Sequence, residues 1–318
     1  EKENLPNLLH SISLLNYPIE LVEIILVDDD SEEVFSVQDL VFSLKVIKND
    51  RKSNSPKKDA IETAIQVAKN DWIITTDADC LIQKDWLTTF DQYIQENEVE
   101  MVASGVCYVP KSGFLSAFQN LDFLSLQGAT IGSFGINQPF MCNGANFAYS
   151  KQFFKRLNGF QGNETIASGD DVFLLQKAVS VAPKKVGFLL AKESIVATKP
   201  VKTWNELFQQ RVRWASKSTG YSSSYGKILA LAVFGGNLVW ILSFLLWLTN
   251  VLDQNIFMLF VALKFLIDFI LLYKTANFFE SKLKYVLASS LLYSFFSVSV
   301  AVYSLFGNYS WKGRNFRK

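Results

Sequence analysis

The chain is predicted to be an α/β domain followed by a membrane-spanning helical segment, on three observations. Short β-rich runs alternate with helical apolar stripes up to about residue 225. Two of those runs end in carboxylates, Asp28-Asp29 and Asp77-Ala78-Asp79, at the strand ends where an alternating sheet of this kind gathers its ligands. From Ile228 onward, residues 228–248, 256–273 and 285–306 are each long and apolar enough to cross a bilayer as a helix. The predicted division is therefore 1–226 for the α/β domain and 227–318 for the membrane domain.

In chain order, Asn4-Leu5-Pro6 opens a helix with an apolar stripe of Leu8, Leu9, Ile12 and Leu15, and Tyr17-Pro18 closes it. Glu23 to Val27 is a continuous β-rich run, apolar enough to be expected covered on both faces, as in a parallel sheet. Leu44 to Ile47 is a second short strand, and 57–69 is helical, with Ala60, Ile61, Ala64, Ile65 and Ala68 on one face. The next strand, 72–76, runs into Asp77 and Asp79. A further strand spans 101–109. Residues 113–130 are rich in Phe and Leu and nearly free of charge, which suits either a buried core helix or a helix lying on a bilayer surface. The membrane segment that follows favours the interfacial position. Cys142 to Ala148 reads as a small-residue strand with room for a ligand beside it.

Composition excludes several function classes. A net charge of +1 argues against a nucleic-acid surface. The three cysteines, Cys80, Cys107 and Cys142, have no paired spacing, so neither a disulfide framework nor a zinc site is expected, and free thiols fit a cytosolic domain. The single histidine, His10, sits beside Leu8 and Leu9 in the first helix, which speaks against histidine-based catalysis. The chain begins at Glu1 without Met, and no signal or targeting segment is visible.

In the membrane segment, residues 249–255 carry no Lys or Arg, whereas Lys274, Lys282 and Lys284 follow the second span. By the positive-inside rule the α/β domain is expected in the cytosol, and at the plasma or inner membrane if the source is a bacterium. The basic tail (Lys312, Arg314, Arg317, Lys318) breaks the rule under that topology. Lys264 and Asp268, four residues apart within the second span, are expected to neutralise each other facing the bundle.

The chemistry lies in the acidic and basic clusters. On an extended strand Asp77 and Asp79 would point the same way, because side chains alternate with period two. Two like charges so placed suit a hard cation, Mg²⁺ or Mn²⁺, completed by phosphate oxygens. Asp170-Asp171 opens a helix, and Gln210, Arg213 and Trp214 share one helix face at i, i+3 and i+4, just ahead of the first span. Arg211 and Lys217 read as solvated juxtamembrane charge.

The ordered set Asp28-Asp29, Asp77-Ala78-Asp79, Asp170-Asp171 and Gln210-Arg211-Val212-Arg213-Trp214 resembles a family 2 inverting glycosyltransferase of the GT-A fold, with supporting pieces at Glu3 to Pro6, Asn16 to Pro18 and Cys142 to Asn146. The resemblance runs from the first residue to the membrane helices. It implies a Rossmann-like mixed sheet with flanking helices, and it implies roles. Asp28 and Asp29 would hold the nucleoside of a donor, a UDP-sugar in the first instance, with Lys57 or Lys58 and Asp77 helping to bind the nucleotide. Asp79, assisted by Asp77, would hold the metal. Asp171, with Asp170, would supply the general base for a single displacement. Gln210, Arg213, Trp214, Asn143 and Gly144 would serve the acceptor and the diphosphate. The chain departs from the family pattern in three places: a strand expected ahead of Glu3 is missing, Asp170 stands where Glu is commoner, and the acidic turn runs Asp28 to Glu33 with altered spacing. The resemblance is nearest the ceramide glucosyltransferase-like branch, which implies one sugar moved to a lipid or glycan acceptor at the bilayer. A processive polysaccharide synthase is the second reading, and a non-catalytic membrane scaffold the third.

Overall fold

A computed structural model describes residues 3–31, 43–163, 166, 168–217, 220–306, 309–311 and 314–316. Glu32 and Glu33 of the acidic turn, and Lys312, Arg317 and Lys318 of the tail, lie outside the described residues. In chain order the elements are α1 (Leu5–Ser13), β1 (Glu23–Asp28), β2 (Ser43–Lys48), α2 (Pro56–Val67), β3 (Trp72–Thr75), β4 (Cys80–Leu81), α3 (Trp86–Glu96), β5 (Met101–Ser104), β6 (Val106–Tyr108) and α4 (Phe114–Gly135). They continue with β7 (Phe147–Ser150), α5 (Lys151–Arg156), α6 (Asp170–Val181), β8 (Val186–Leu189), β9 (Val196–Thr198), α7 (Trp204–Ala215), α8 (Ser224–Leu248), α9 (Gln254–Phe278), α10 (Val286–Phe306) and the hairpin β10 (Tyr309–Trp311) and β11 (Arg314–Phe316).

The chain divides into two compact units, Glu1–Val106 with Ser133–Lys199, and Cys107–Gly132 with Pro200–Lys318. In this division residues 107–132 and 200–226 group with the apolar helices.

The first unit is a mixed α/β structure, as expected. β5 is its centre: all four residues are buried, β7 pairs with it antiparallel and β8 parallel. β3 pairs antiparallel with β7, giving the order β3-β7-β5-β8. The core beneath this sheet packs Met101, Ala103, Phe147 and Tyr149 against Phe153, Phe154, Phe160, Leu174, Leu175 and Ala178 of the following helical segments. β1 and β2 form a separate parallel pair, and all six residues of β1 are half-buried, not covered on both faces. The strand predicted over 101–109 breaks at Gly105 into β5 and β6. In α1, Leu5, Leu8, Leu9 and Ile12 are buried at helical spacing, while the helix stops at Ser13, ahead of Tyr17-Pro18.

In the second unit, α8, α9 and α10 are each long and apolar enough to cross a membrane. Ser223 and Asp253 cap the first two by accepting backbone N–H bonds. Lys264 Nζ lies 2.5 Å from Asp268 Oδ2, which also accepts from Ser290 Oγ of α10 at 2.6 Å. The pair therefore faces a neighbouring helix. Asn237 of α8 accepts from Ser294 of α10 at 3.0 Å. In α4, Phe118, Gln119, Leu121, Asp122, Phe123 and Leu124 are all buried by protein, so these side chains match the core-helix alternative to the interfacial one.

Candidate functional site

In the first unit, the Asp-x-Asp segment does not continue the strand. β3 ends at Thr75, whose hydroxyl donates to Gly144 O at 2.7 Å and Phe147 O at 3.2 Å. Cys80 N–H then closes a turn on Asp77 O at 3.1 Å. The ladder stops because β7 begins only at Phe147. Residues 143–146 are a turn of their own, closed by Asn146 N–H on Asn143 O at 3.0 Å, and the small-residue strand expected there is confined to its last two residues. Asp77 and Asp79 are therefore the first and third residues of one turn, and period-two alternation does not apply to them.

Lys57, in the first turn of α2, joins this turn to a distant segment. Its Nζ lies 2.7 Å from Asp77 Oδ1 and 3.6 Å from Asp170 Oδ2. Burial acts to lower the Lys57 pKa, but Asp170, Asp77 and Asp171 outweigh it and hold the ammonium charged, above its ordinary range. Lys58 goes elsewhere, since successive side chains on a helix point about 100° apart. It is buried, donates to Asn163 O at 2.6 Å and Ile166 O at 2.9 Å, and lies 5.4 Å from the centre of the Phe173 ring.

Asp170 and Asp171 open α6 behind Gly169, whose φ of +85° is a left-handed conformation that glycine adopts freely. Their charge also suits the positive end of the helix. Asp171 Oδ2 accepts from Gly144 N–H and Oδ1 from Val172 N–H, each at 2.8 Å. Gly144 is small for a reason: a Cβ there would stand 3.1 Å from Asp170 Oδ2 and 3.3 Å from Asp171 Cβ. Asn143 spends its side-chain oxygen on Ala145 N–H at 3.0 Å, which shapes the turn that presents Gly144. Asn146, fully buried, anchors the same turn through Gly105 O and Ser194 O at 2.7 Å each and Trp86 Nε1 at 3.0 Å. Thr75, Phe147, Tyr149, Asp170 and Asp171 line a crevice too narrow for a water molecule. The Tyr149 hydroxyl is buried there without a hydrogen-bond partner among the described residues, and burial, followed by Asp170, pushes its pKa up.

At the end of β1, Asp28 Oδ1 accepts from Ser31 N–H at 3.1 Å and Ser31 Oγ at 2.5 Å, folding its own loop. Asp29 Oδ1 accepts from Asn49 Nδ2 at 2.7 Å and Arg51 Nε at 2.5 Å, and Arg51 also donates to Asp29 O at 3.0 Å. Neither Asn49 nor Arg51 stands out in the sequence, where the only signal for them is a polar and basic stretch directly after β2. Asp59, buried, ties the loop before α2 by accepting from Lys52 N–H at 3.1 Å and Ser53 N–H at 2.9 Å.

Asp79 accepts a long contact from Cys80 Sγ at 3.8 Å. Burial, then Asp77 and Asp79, push the Cys80 thiol up to about 12, so it stays neutral near pH 7. Among the described residues no group of three candidate ligands gathers. Two carboxylates at one turn are a donor set for a hard divalent ion that takes most of its shell from diphosphate and water, not for an all-protein cage.

The remaining predicted residues belong to the second unit. α7 starts on a capping box between Thr203 and Glu206. Arg211, read from sequence as a solvated charge, is buried: its Nε lies 2.5 Å from Asp122 Oδ2, with side-chain exposures of 6% and 5% for the pair. It donates through Nη1 to Gln210 Oε1 and lies 3.5 Å through Nη2 from the Tyr108 hydroxyl. Its guanidinium carbon stands 4.3 Å from the centre of the Trp214 ring. Burial acts against the charge, but Asp122 and Tyr108 more than offset it, so Arg211 stays ionised. Gln210 and Trp214 are thus brought together by Arg211, while Arg213 is half-buried on the same helix.

The profile described as Glycosyl transferase family 2 matches residues 1–157, which include Asp28, Asp29, Lys57, Asp77, Asp79 and Gly144 but end short of Asp171 and the α7 motif. No curated protein matches the chain. Among solved structures, the chain is similar to S. aureus TarS 1-349 in complex with UDP-GlcNAc at 15% identity and TM-score 0.46, covering 99% of this chain and 92% of that one. It is similar to a mycobacterial protein at 13% identity and TM-score 0.40, covering 67% of this chain and 71% of that one. Of the longer S. aureus TarS chain, matched at 16% identity and TM-score 0.40 over 72% of this one, it spans 40%. At such identities and scores these likenesses carry no functional weight, and the assignment rests on the family profile. Residues 1–157 of this chain are a glycosyl transferase family 2 domain.

Proposed function

We propose that this glycosyltransferase moves a sugar from a nucleotide-diphosphate donor, in the first instance a UDP-sugar, to a lipid or membrane-proximal acceptor, with inversion and by a single displacement. The observation that carries the reading is the Lys57 link: one ammonium binds Asp77 beside the Asp-x-Asp turn and Asp170 at the start of α6, 93 residues further along the chain. It gathers, within one unit, carboxylates suited to a metal-diphosphate group and carboxylates suited to proton abstraction.

Asp79 and Asp77 would hold Mg²⁺ or Mn²⁺, which when bound neutralises charge on the departing nucleoside diphosphate. Asp28 and Asp29 would bind the nucleoside, with Arg51 steadying Asp29. Asp171 would take the proton from the attacking acceptor hydroxyl; both its oxygens already accept backbone N–H bonds, which fixes the carboxylate against rotation without consuming all its lone pairs. Gln210, Arg213 and Trp214 would serve the acceptor and diphosphate, Trp214 as a flat platform and Arg213 as a cationic fork. The three apolar helices would hold the enzyme in a bilayer, and the lysines after the second span favour a cytosolic catalytic domain.

The test is an incubation of membranes holding the full-length protein with several labelled UDP-sugars and Mn²⁺. Label in an organic-extractable lipid is expected, while label in a long water-soluble polymer would support processive synthesis instead. If no product forms with any donor, and Asp79→Ala behaves identically, the proposal fails.

A further inference from the structure

We propose that Arg211 and Asp122 are a positioning pair that holds Gln210 and Trp214 in the orientation that transfer to the acceptor requires. This rests on the glycosyltransfer reading above and adds to it two side chains that the sequence reading gave no role in catalysis.

Arg211 presents a planar group with five donors in a rigid fork. Its Nε pairs with Asp122, its Nη1 donates to the Gln210 carboxamide oxygen, and its central carbon sits over the Trp214 ring, 4.3 Å from the centre. A single buried group thus touches the motif residue just before it and the one three positions after it. Gln and Trp side chains on a helix surface choose among several rotamers, and ordering them costs conformational entropy. Contact with a fixed guanidinium removes that choice before any acceptor arrives.

The guanidinium needs its own fixing, because a buried charge is tolerated only when paired. Asp122 of α4 supplies the counter-charge, and neighbouring aromatics supply the wall: the Phe123 ring lies 4.6 Å from Tyr108 and 6.2 Å from Trp214. Helix α4 therefore acts on the motif through Arg211. Lysine cannot replace it, since a compact ammonium cannot pair with Asp122, donate in plane to Gln210 and stack on an indole at once.

Donor hydrolysis separates positioning from mere support. Water needs no oriented acceptor platform, so transfer of the sugar to water depends on the donor site alone, whereas transfer to the acceptor depends on both. The full-length protein in host membranes is incubated with labelled UDP-glucose, UDP-galactose and UDP-GlcNAc and Mn²⁺, and both extractable glycosylated product and free labelled sugar are counted. Arg211→Lys is expected to lose acceptor transfer by about a hundredfold, the order reached by small misplacements in an active site, while free-sugar release and folded yield hold near the wild-type level. Asp122→Asn should move the same way, and Asp122→Glu should recover transfer. The proposal is overturned if Arg211→Lys transfers at the wild-type rate, or if transfer, hydrolysis and yield fall together in Arg211→Lys and Asp122→Glu alike. A wild-type protein that releases neither product would instead sink the glycosyltransfer reading, and this proposal with it.

Discussion

Lys57 and Arg211 are the cations at the hearts of two polar clusters, one in each compact unit, and they are balanced differently. Lys57 serves three carboxylates, bonding Asp77, standing 3.6 Å from Asp170 and feeling Asp171, with its side chain 32% exposed. Arg211 faces one carboxylate, Asp122, and both are almost fully buried. The first cluster keeps an excess of negative charge near solvent, which suits a site that receives a cation and a proton. The second is neutral as a whole and dry, which suits a part that holds its neighbours still. Charge excess beside the proposed chemistry, and charge balance in the proposed support, is the lesson of the comparison.

Substitutions can break it. Asp171→Asn should produce the largest functional loss, about 10²–10⁴-fold in transfer, with UDP binding retained; a radiochemical assay beside calorimetry on the same preparation checks both. Next comes the pair that contrasts the clusters directly. Arg211→Met strands a buried Asp122 and should cost about 3–5 kcal/mol, whereas Lys57→Met uncovers the nearly buried Asp170 but leaves Asp77 partly solvated, and should cost less. Unfolding of both variants in detergent, followed by intrinsic fluorescence, would contradict the contrast if the two losses were equal. Gly144→Ala should reduce transfer by about tenfold to a hundredfold by pushing against the Asp170 and Asp171 carboxylates. Smallest is Gly169→Ala, which forces a Cβ into the left-handed region at about 1 kcal/mol.

The pH dependence follows from the sign of the Lys57 shift. Its folded pKa is raised, so its contribution is complete below the ordinary lysine value of 10.5 and is lost only as pH climbs through the higher folded value. Stability between about pH 6 and pH 9 should therefore carry no slope from the titration of Lys57 itself, and unfolding of the wild type followed to higher pH should show that contribution lost only above the ordinary lysine range.

Much of this was legible from sequence where a short-range signal existed. The apolar runs at β1, β3 and β5 and the three long apolar helices follow from composition, and Lys264 with Asp268 from helical spacing. What was hidden depends on contacts between distant residues. Which of Lys57 and Lys58 faces the carboxylates turns on the orientation of α2, and Arg51 reaches Asp29 only through the parallel pairing of β1 with β2. The Asp-x-Asp turn reads as a strand end in sequence, but the segment that would pair with it, 143–146, curls away, and nothing local to residues 76–79 reports that. Arg211 looked like a surface charge because its partner, Asp122, lies 89 residues earlier, in a helix read as interfacial.

The most direct measurement is a calorimetric titration of UDP into the full-length protein in detergent, with and without Mn²⁺, on wild type, Asp79→Ala and Arg211→Lys. Mn²⁺ is expected to tighten UDP binding in the wild type and in Arg211→Lys, and to have no effect in Asp79→Ala. UDP binding indifferent to both Mn²⁺ and Asp79 would contradict the assignment of the negatively charged cluster as the donor site.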